Sequence, residues 1–171
     1  MKKFFLTLVL LLATIASVSA MSLDEEDYGW FKSSSYRGLV EAYGMMDLND
    51  ESEFNVSLLT SHGFQVSKSW FAGAGLGYIF NTDESASYLP FFVHTRFELP
   101  GVINDKIAPF ADVKSGVTIA LDGSSDSGVF QSQTIGCRFA IGNGKCGISP
   151  GFGYTILPES NCLHLSVSFD F

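Results

Sequence analysis

The amino-acid sequence predicts an all-β fold, specifically an eight-stranded antiparallel up-and-down transmembrane β-barrel. From Tyr36 to Phe171 apolar and polar residues alternate with a period of two, and clusters of Gly, Asp, Asn, Ser and Pro interrupt the pattern at near-regular intervals. Apolar stripes of helical period last no longer than two turns in this region. The predicted strands run to about 9–15 residues, whereas globular strands usually have five or six and a tilted bilayer crossing needs 9–11.

Residues 1–20 have the order of a secretory signal peptide. Lys2 and Lys3 precede an apolar run from Phe4 to Ala13, and Val18-Ser19-Ala20 is a small-x-small cleavage site. An uncleaved membrane anchor is the alternative, but the apolar run falls short of the ~20 residues that a spanning helix needs. The predicted organisation is therefore a signal peptide (1–20), an N-terminal periplasmic extension (21–35) and a barrel (36–171).

Composition excludes two classes of protein. The 171 residues carry 10 Lys+Arg against 18 Asp+Glu, a net charge of −8, so the clustered basic charge that nucleic-acid binding requires is missing. With 46% hydrophobic and 16% charged residues, the chain also differs from disordered proteins. One folded domain is expected at this length.

The alternation assigns the two faces of each strand. In the last strand Leu163, Leu165 and Val167 point one way while His164 and Ser166 point the other, and the fourth, fifth and sixth strands repeat this pattern. The predicted strands cover about residues 36–46, 54–66, 70–81, 88–99, 107–121, 127–142, 146–157 and 162–171.

The polar face distinguishes a membrane barrel from a soluble one. Solvent-facing strands of soluble proteins favour Lys, Glu and Thr, whereas the narrow interior of a small barrel favours small residues with a few long charged ones. The third strand contains Gly73-Ala74-Gly75-Leu76-Gly77 without a following helix, so we interpret it as space for the lumen rather than as a nucleotide loop. The small residues on the polar face are Ser132, Gly136, Gly147, Ser149, Gly151, Gly153, Ser166 and Ser168.

Charge separates between alternate connections. The predicted inner turns, about 67–69, 100–106 and 143–145, contain Lys68, Lys106 and Lys145 against the single Asp105. An acidic outer rim could bind Ca²⁺ or Mg²⁺, but it lacks the ordered ligand spacing of a calcium loop, so no metal or cofactor is predicted. The outer loops, about 47–53, 82–87, 122–126 and 158–161, contain Asp47, Asp50, Glu51, Glu53, Asp83, Glu84, Asp122, Asp126 and Glu159 and no Lys or Arg.

Four positive and four negative residues fall on the predicted lumen face. Such charges must be paired or hydrated. We interpret them as a salt-bridged plug, with a gated ion path as the alternative, because an eight-stranded interior is just wide enough for side chains to fill. Arg96 is expected to meet Asp112 and Lys114. The predicted lumen network consists of Arg37, Glu41, Arg96, Glu98, Asp112, Lys114, Arg138 and Asp170.

Catalysis has little support in the sequence. His62, His94 and His164 lie on different strands, and no serine occupies a nucleophile-elbow context. The three cysteines are dispersed, which favours apolar filling over a disulfide or metal site. The expectation is that the protein is not an enzyme.

Besides the signal peptide and the eight long strands, the sequence contains the segments Tyr36–Glu41, Thr60–Gln65, Phe71–Gly77 and Pro109–Lys114. Together these features resemble the small bacterial outer-membrane β-barrel family, porin-like proteins of the OmpA/OmpX type. The resemblance spans nearly the whole chain after the signal peptide, and it implies a barrel without transferring any activity. The terminal Phe171, after the alternating face that ends in Phe169, is similar to the signal by which the outer-membrane barrel assembly machinery recognises its clients.

The expected function is that of an integral outer-membrane barrel with a structural or envelope role. A salt-bridged lumen would allow at most a narrow solute or ion path. The expected partners are outer-membrane lipid and the assembly machinery, and the expected state is a monomer in the cell outer membrane. The alternative is a soluble periplasmic β-barrel that binds a small apolar ligand.

Overall fold

The computed structural model describes residues 36–48, 54–82, 87–104, 106–121, 127–142 and 144–171. The predicted signal peptide and N-terminal extension lie outside the described residues. No helix among the described residues is long and apolar enough to cross a membrane. The described residues form eight strands: β1 (Tyr36–Asp47), β2 (Phe54–Ser67), β3 (Trp70–Asn81), β4 (Ser87–Glu98), β5 (Ile107–Ala120), β6 (Gly128–Ile141), β7 (Cys146–Ile156) and β8 (Asn161–Asp170).

The strands close into an antiparallel up-and-down barrel. Each strand pairs with the next along the chain, and β8 returns to pair with β1, where Leu39 lies opposite Asp170 and Asp47 opposite Cys162. Closure leaves no sheet edge with unpaired backbone groups. The predicted fold class is confirmed, and the predicted strand ends agree with the structure to within one residue.

The connections define two ends of the barrel. Residues 68–69, 99–106 and 142–145 join strands at the end we call the turn end, where β1 begins and β8 stops. In the last of these turns Gly142 and Gly144 have φ of 60° and 83°, a region that favours glycine, and Gly144 N–H donates to the Ile141 carbonyl. The other four connections lie at the loop end, and of their predicted acidic residues Asp50, Glu51, Glu53, Asp83, Glu84, Asp122 and Asp126 lie outside the described residues.

The two faces of the wall differ as the alternation predicts. In β8, Leu165 is 71% exposed on the outer face, whereas His164 and Ser166 are buried inside. Outward residues on every strand form a continuous apolar surface, which we call the apolar belt. Its members include Val40, Val56, Leu58, Phe64, Leu76, Phe80, Phe91, Val93, Val117, Ile119, Val129, Ile135, Phe139, Ile148, Phe152, Leu163, Leu165, Val167 and Phe169.

Glycines in β3 make room for large interior side chains. A Cβ added at Gly75 would lie 2.6 Å from the Phe92 ring, and one added at Gly77 would lie 2.2 Å from Leu59 Cδ2. Both distances are far below van der Waals contact, so any larger residue would displace the interior packing. The Gly-rich run of β3 therefore provides space for interior side chains, as we interpreted it from the sequence.

Candidate functional site

The interior of the barrel is the site where polar chemistry concentrates. All eight residues of the predicted lumen network are at most 3% exposed. The structure divides them into two clusters. The arginine cluster, near the turn end, contains Arg37, Arg96, Glu98, Arg138 and Asp170, and the lysine cluster, near mid-height, contains Glu41, Asp112 and Lys114.

Two carboxylates hold three guanidinium groups together in the arginine cluster. Arg138 Nη2 lies 2.6 Å from Asp170 Oδ2 while its Nε lies 2.9 Å from Oδ1, which is a bidentate pair. Arg37 Nη2 lies 2.7 Å from Glu98 Oε1 and 3.3 Å from Asp170 Oδ1. Bidentate, charge-assisted pairs are the strongest hydrogen bonds that side chains form. The cluster therefore ties β1, β4, β6 and β8 together across the lumen.

Arg96 does not bind the partners expected from sequence. The register places it opposite Asp112, but its guanidinium lies 3.0 Å from Glu98 and donates to Ser149 Oγ and Ser168 Oγ at 2.7 and 3.3 Å. The group also stacks 3.6 Å above the centre of the Phe110 ring. The prediction was wrong because a long arginine can cross a narrow lumen to the opposite wall.

Lys114 bridges the two carboxylates of the lysine cluster. Its Nζ lies 2.9 Å from Asp112 Oδ1 and 3.0 Å from Glu41 Oε2. The Tyr43 ring centre lies 5.6 Å from the same ammonium group. Two carboxylates therefore depend on one buried cation.

The lumen charges balance overall but not within each cluster. Among the ionised Arg, Lys, Asp and Glu side chains, the arginine cluster has three positive and two negative charges, and the lysine cluster has one positive and two negative. Each cluster thus has one unit of net charge of opposite sign. Because Coulomb interactions are strong in a low-dielectric interior, the two clusters stabilise each other.

His94 belongs to a Ser–His–Asp arrangement that was not predicted from the sequence. Its Nδ1 lies 3.0 Å from Ser61 Oγ and its Nε2 lies 3.8 Å from Asp112 Oδ2, an order of groups also found in hydrolase triads. Ser61 and His94 are buried to 1% exposure or less, which leaves no accessible surface for a substrate. The residues come from β2, β4 and β5, and the register across the glycines of β3 brings Ser61 and His94 together.

Glu41, His94 and Asp112 also place one potential metal-ligand atom each within 4.8 Å of one another. The sequence predicts no metal site, and these three residues lie on three different strands. Lys114 Nζ already contacts both carboxylates, so a metal ion would compete with the ammonium group for the same oxygens.

The loop half of the lumen contains a cluster of large apolar side chains, which differs from the small, polar or charged lumen predicted from sequence. Polar residues such as Asn55, Thr118 and Gln131 are buried at the same end. The Phe92 and Phe130 rings lie 5.3 Å apart, and the Tyr43 ring stacks on His164 with centres 4.5 Å apart at the border with the charged half. The alternation alone places Phe92 and Phe130 at lumen-facing positions of β4 and β6, so the sequence already contained a signal for this apolar cluster. We call this set the apolar plug: Tyr43, Met45, Leu59, Ile79, Tyr88, Phe92, Phe130, Leu157 and Cys162.

Phe169 and Phe171 lie at the closing seam of the barrel. Their rings stack with centres 6.3 Å apart. Phe171 and Gly38 exchange two backbone hydrogen bonds of 2.9 and 3.0 Å, and a Cβ at Gly38 would lie 2.6 Å from Phe171 Cζ. Their role as an assembly signal stays a prediction.

Comparisons with known proteins point to small outer-membrane barrels. No protein-family model matches the sequence, and no curated protein matches it. Neisserial surface protein A matches with 11% identity and a TM-score of 0.62, covering 81% of this chain and 98% of that one. The outer membrane enzyme PagL matches with 15% identity and a TM-score of 0.52, covering 78% of this chain and 98% of that one. The chain therefore has the fold of the small outer-membrane β-barrels, as the resemblance implied.

Proposed function

We propose that the protein is an integral outer-membrane barrel with a structural role in the envelope and a closed, non-conducting interior. The observation that carries this proposal is the apolar belt, in which residues such as Val93 and Leu165 are 62% and 71% exposed. A soluble monomer rarely exposes a contiguous apolar patch larger than a few hundred Å². A belt around the whole barrel is the surface that hydrocarbon favours.

The distribution of side chains argues against a soluble ligand-binding barrel. Such a barrel would place large apolar residues inside around a cavity and polar residues outside. Here the interior is occupied by ion pairs and the apolar plug, while the outward face is apolar. PagL is an enzyme on a similar fold, but the buried Ser61 and His94 offer no substrate access, so we propose a non-enzymatic role.

The packed interior supports a structural role rather than transport. The ion pairs and the Arg96 hydrogen bonds join β1, β4, β5, β6, β7 and β8 across the lumen. At the loop end the large side chains of the apolar plug fill the lumen, with the Phe92 and Phe130 rings 5.3 Å apart. Short turns face the periplasm in bacterial barrels, so the turn end is assigned to the periplasm.

Cell fractionation and gel mobility test the proposal. Expressed in a Gram-negative host, the protein is expected in the outer-membrane fraction, cleaved after Ala20, extractable only with detergent and heat-modifiable in its gel mobility. A reconstituted sample is expected to show no channel steps in a planar bilayer. Recovery of folded protein in aqueous buffer without detergent would overturn the proposal.

Deletion of Phe171 is expected to lower the outer-membrane level several-fold. In the folded barrel the residue contributes two backbone hydrogen bonds and partial ring burial, together about 1–3 kcal/mol of unfolding free energy. Recognition of the last strand precedes insertion, so assembly should suffer more than stability. Immunoblots of membrane fractions, with Phe171→Tyr as the control, check this; equal levels of deletion variant and wild type would contradict it.

A further inference from the structure

The turn end has a basic rim. Within the described parts of its three connections, the charged side chains are Lys68, Lys106 and Lys145. Of the acidic residues near this end, Glu98 and Asp170 are buried in the lumen and paired with arginines, and Asp105 lies outside the described residues. The described charged side chains of the turn surface are therefore all basic.

A groove opens on the outer wall at this rim. It has a volume of about 510 Å³ and is lined by Asn104, Lys106, Ile107, Phe139 and Ala140. The Ala140 N–H donates to the Lys106 carbonyl at 2.8 Å, and the Lys106 N–H donates to Asn104 Oδ1 at 2.8 Å. These bonds hold the backbone of Lys106 directly beside the apolar end of β6.

The groove combines a polar rim with an apolar floor. Phe139 belongs to the apolar belt and is 42% exposed, so the floor is continuous with the lipid-facing surface. Lys106 is exposed and forms no ion pair with any residue in the described ranges. In the same turn Val102 and Ile103 are 64% and 54% exposed, which suits a turn that dips into the membrane interface.

We propose that this groove binds one anionic phospholipid of the periplasmic leaflet, a proposal that rests on the membrane location proposed above. The Lys106 ammonium and the Asn104 side chain would contact the headgroup phosphate, and an acyl chain would lie along Ile107 and Phe139. A free phosphate ion would gain nothing from the apolar floor, whereas a lipid uses both parts. Anionic lipids are attracted to lysines at the membrane surface.

A single tryptophan in the groove can report its lipid neighbours. The chain has two tryptophans, Trp30 and Trp70, so Trp30→Phe and Trp70→Phe together with Phe139→Trp leave one reporter in the groove. The control reporter is Phe80→Trp, on the outer face near the loop end. Vesicles contain phosphatidylcholine and phosphatidylglycerol, with either lipid brominated to quench fluorescence.

Quenching of the groove tryptophan is expected to show that phosphatidylglycerol occupies the groove about fivefold more often than phosphatidylcholine. This is the preference that one lysine near the membrane surface confers. The control reporter is expected to show a ratio near one. Lys106→Gln should abolish the preference, Lys106→Arg should keep it, and Lys68→Gln, at the same rim but outside the groove, should leave it unchanged.

The outcomes separate the two proposals. If neither brominated lipid quenches either reporter, the outer wall does not meet lipid, and the membrane location itself is overturned. If only the control reporter is quenched, if both lipids quench the groove reporter equally, or if Lys68→Gln lowers the preference as much as Lys106→Gln, the phospholipid site is overturned while the membrane barrel stands.

Discussion

Lys114→Met is expected to lower the free energy of unfolding by about 3–5 kcal/mol, because removing one partner of a buried ion pair strands the other charge. Lys114 is the cation that contacts both Glu41 and Asp112, at 3.0 and 2.9 Å. Methionine fills a similar volume, so the loss would come from charge rather than from a cavity. Urea unfolding in lipid vesicles, followed by tryptophan fluorescence, measures the difference.

The matched control neutralises the stranded carboxylates. Adding Glu41→Gln and Asp112→Asn to Lys114→Met removes both buried negative charges and is expected to recover most of the lost stability. If the free energy of unfolding of Lys114→Met lies within about 1 kcal/mol of the wild-type value, the lysine cluster does not stabilise the barrel. A triple variant no more stable than the single variant would show that the loss comes from packing instead.

Replacing Phe92 and Phe130 together by serine is expected to open a conducting path through a barrel that is otherwise silent. The two rings pack 5.3 Å apart in the apolar plug, and each is at most 4% exposed. Their removal would leave a cavity beside polar groups, which water can enter, and would cost about 3–5 kcal/mol of stability for each ring. Planar-bilayer recording measures the single-channel conductance.

Neighbouring outward positions provide the control for this experiment. Phe91 and Val129 lie on the same strands and face the outer surface, so Phe91→Ser with Val129→Ser changes hydrophobicity without widening the lumen. This pair is expected to remain non-conducting. If the interior pair also stays silent while folded, the apolar plug is not the barrier to ions.

The local alternation of apolar and polar residues was sufficient to predict the wall of the barrel. The period-two alternation, broken by turn residues such as those around Gly101 and Gly144, predicted eight strands and the face on which each residue lies. This works because side-chain direction alternates strictly along a strand and depends only on position. The same reasoning placed all eight network residues on the lumen face.

Partnership inside the lumen depended on the tertiary structure. From its position on β4, the Arg96 side chain could reach several carboxylates. Its actual contacts with Glu98, Ser149 and Ser168 depend on the stagger of the strands and on the length of the side chain. The Ser61–His94–Asp112 contacts likewise depend on the register of β2 to β5, which places Ser61 and His94 on either side of the glycines of β3. The sequence by itself therefore determined which face each residue occupies, because that is a local property of a strand. Only closure decided which residues meet across the barrel, because those distances depend on the register of all eight strands at once.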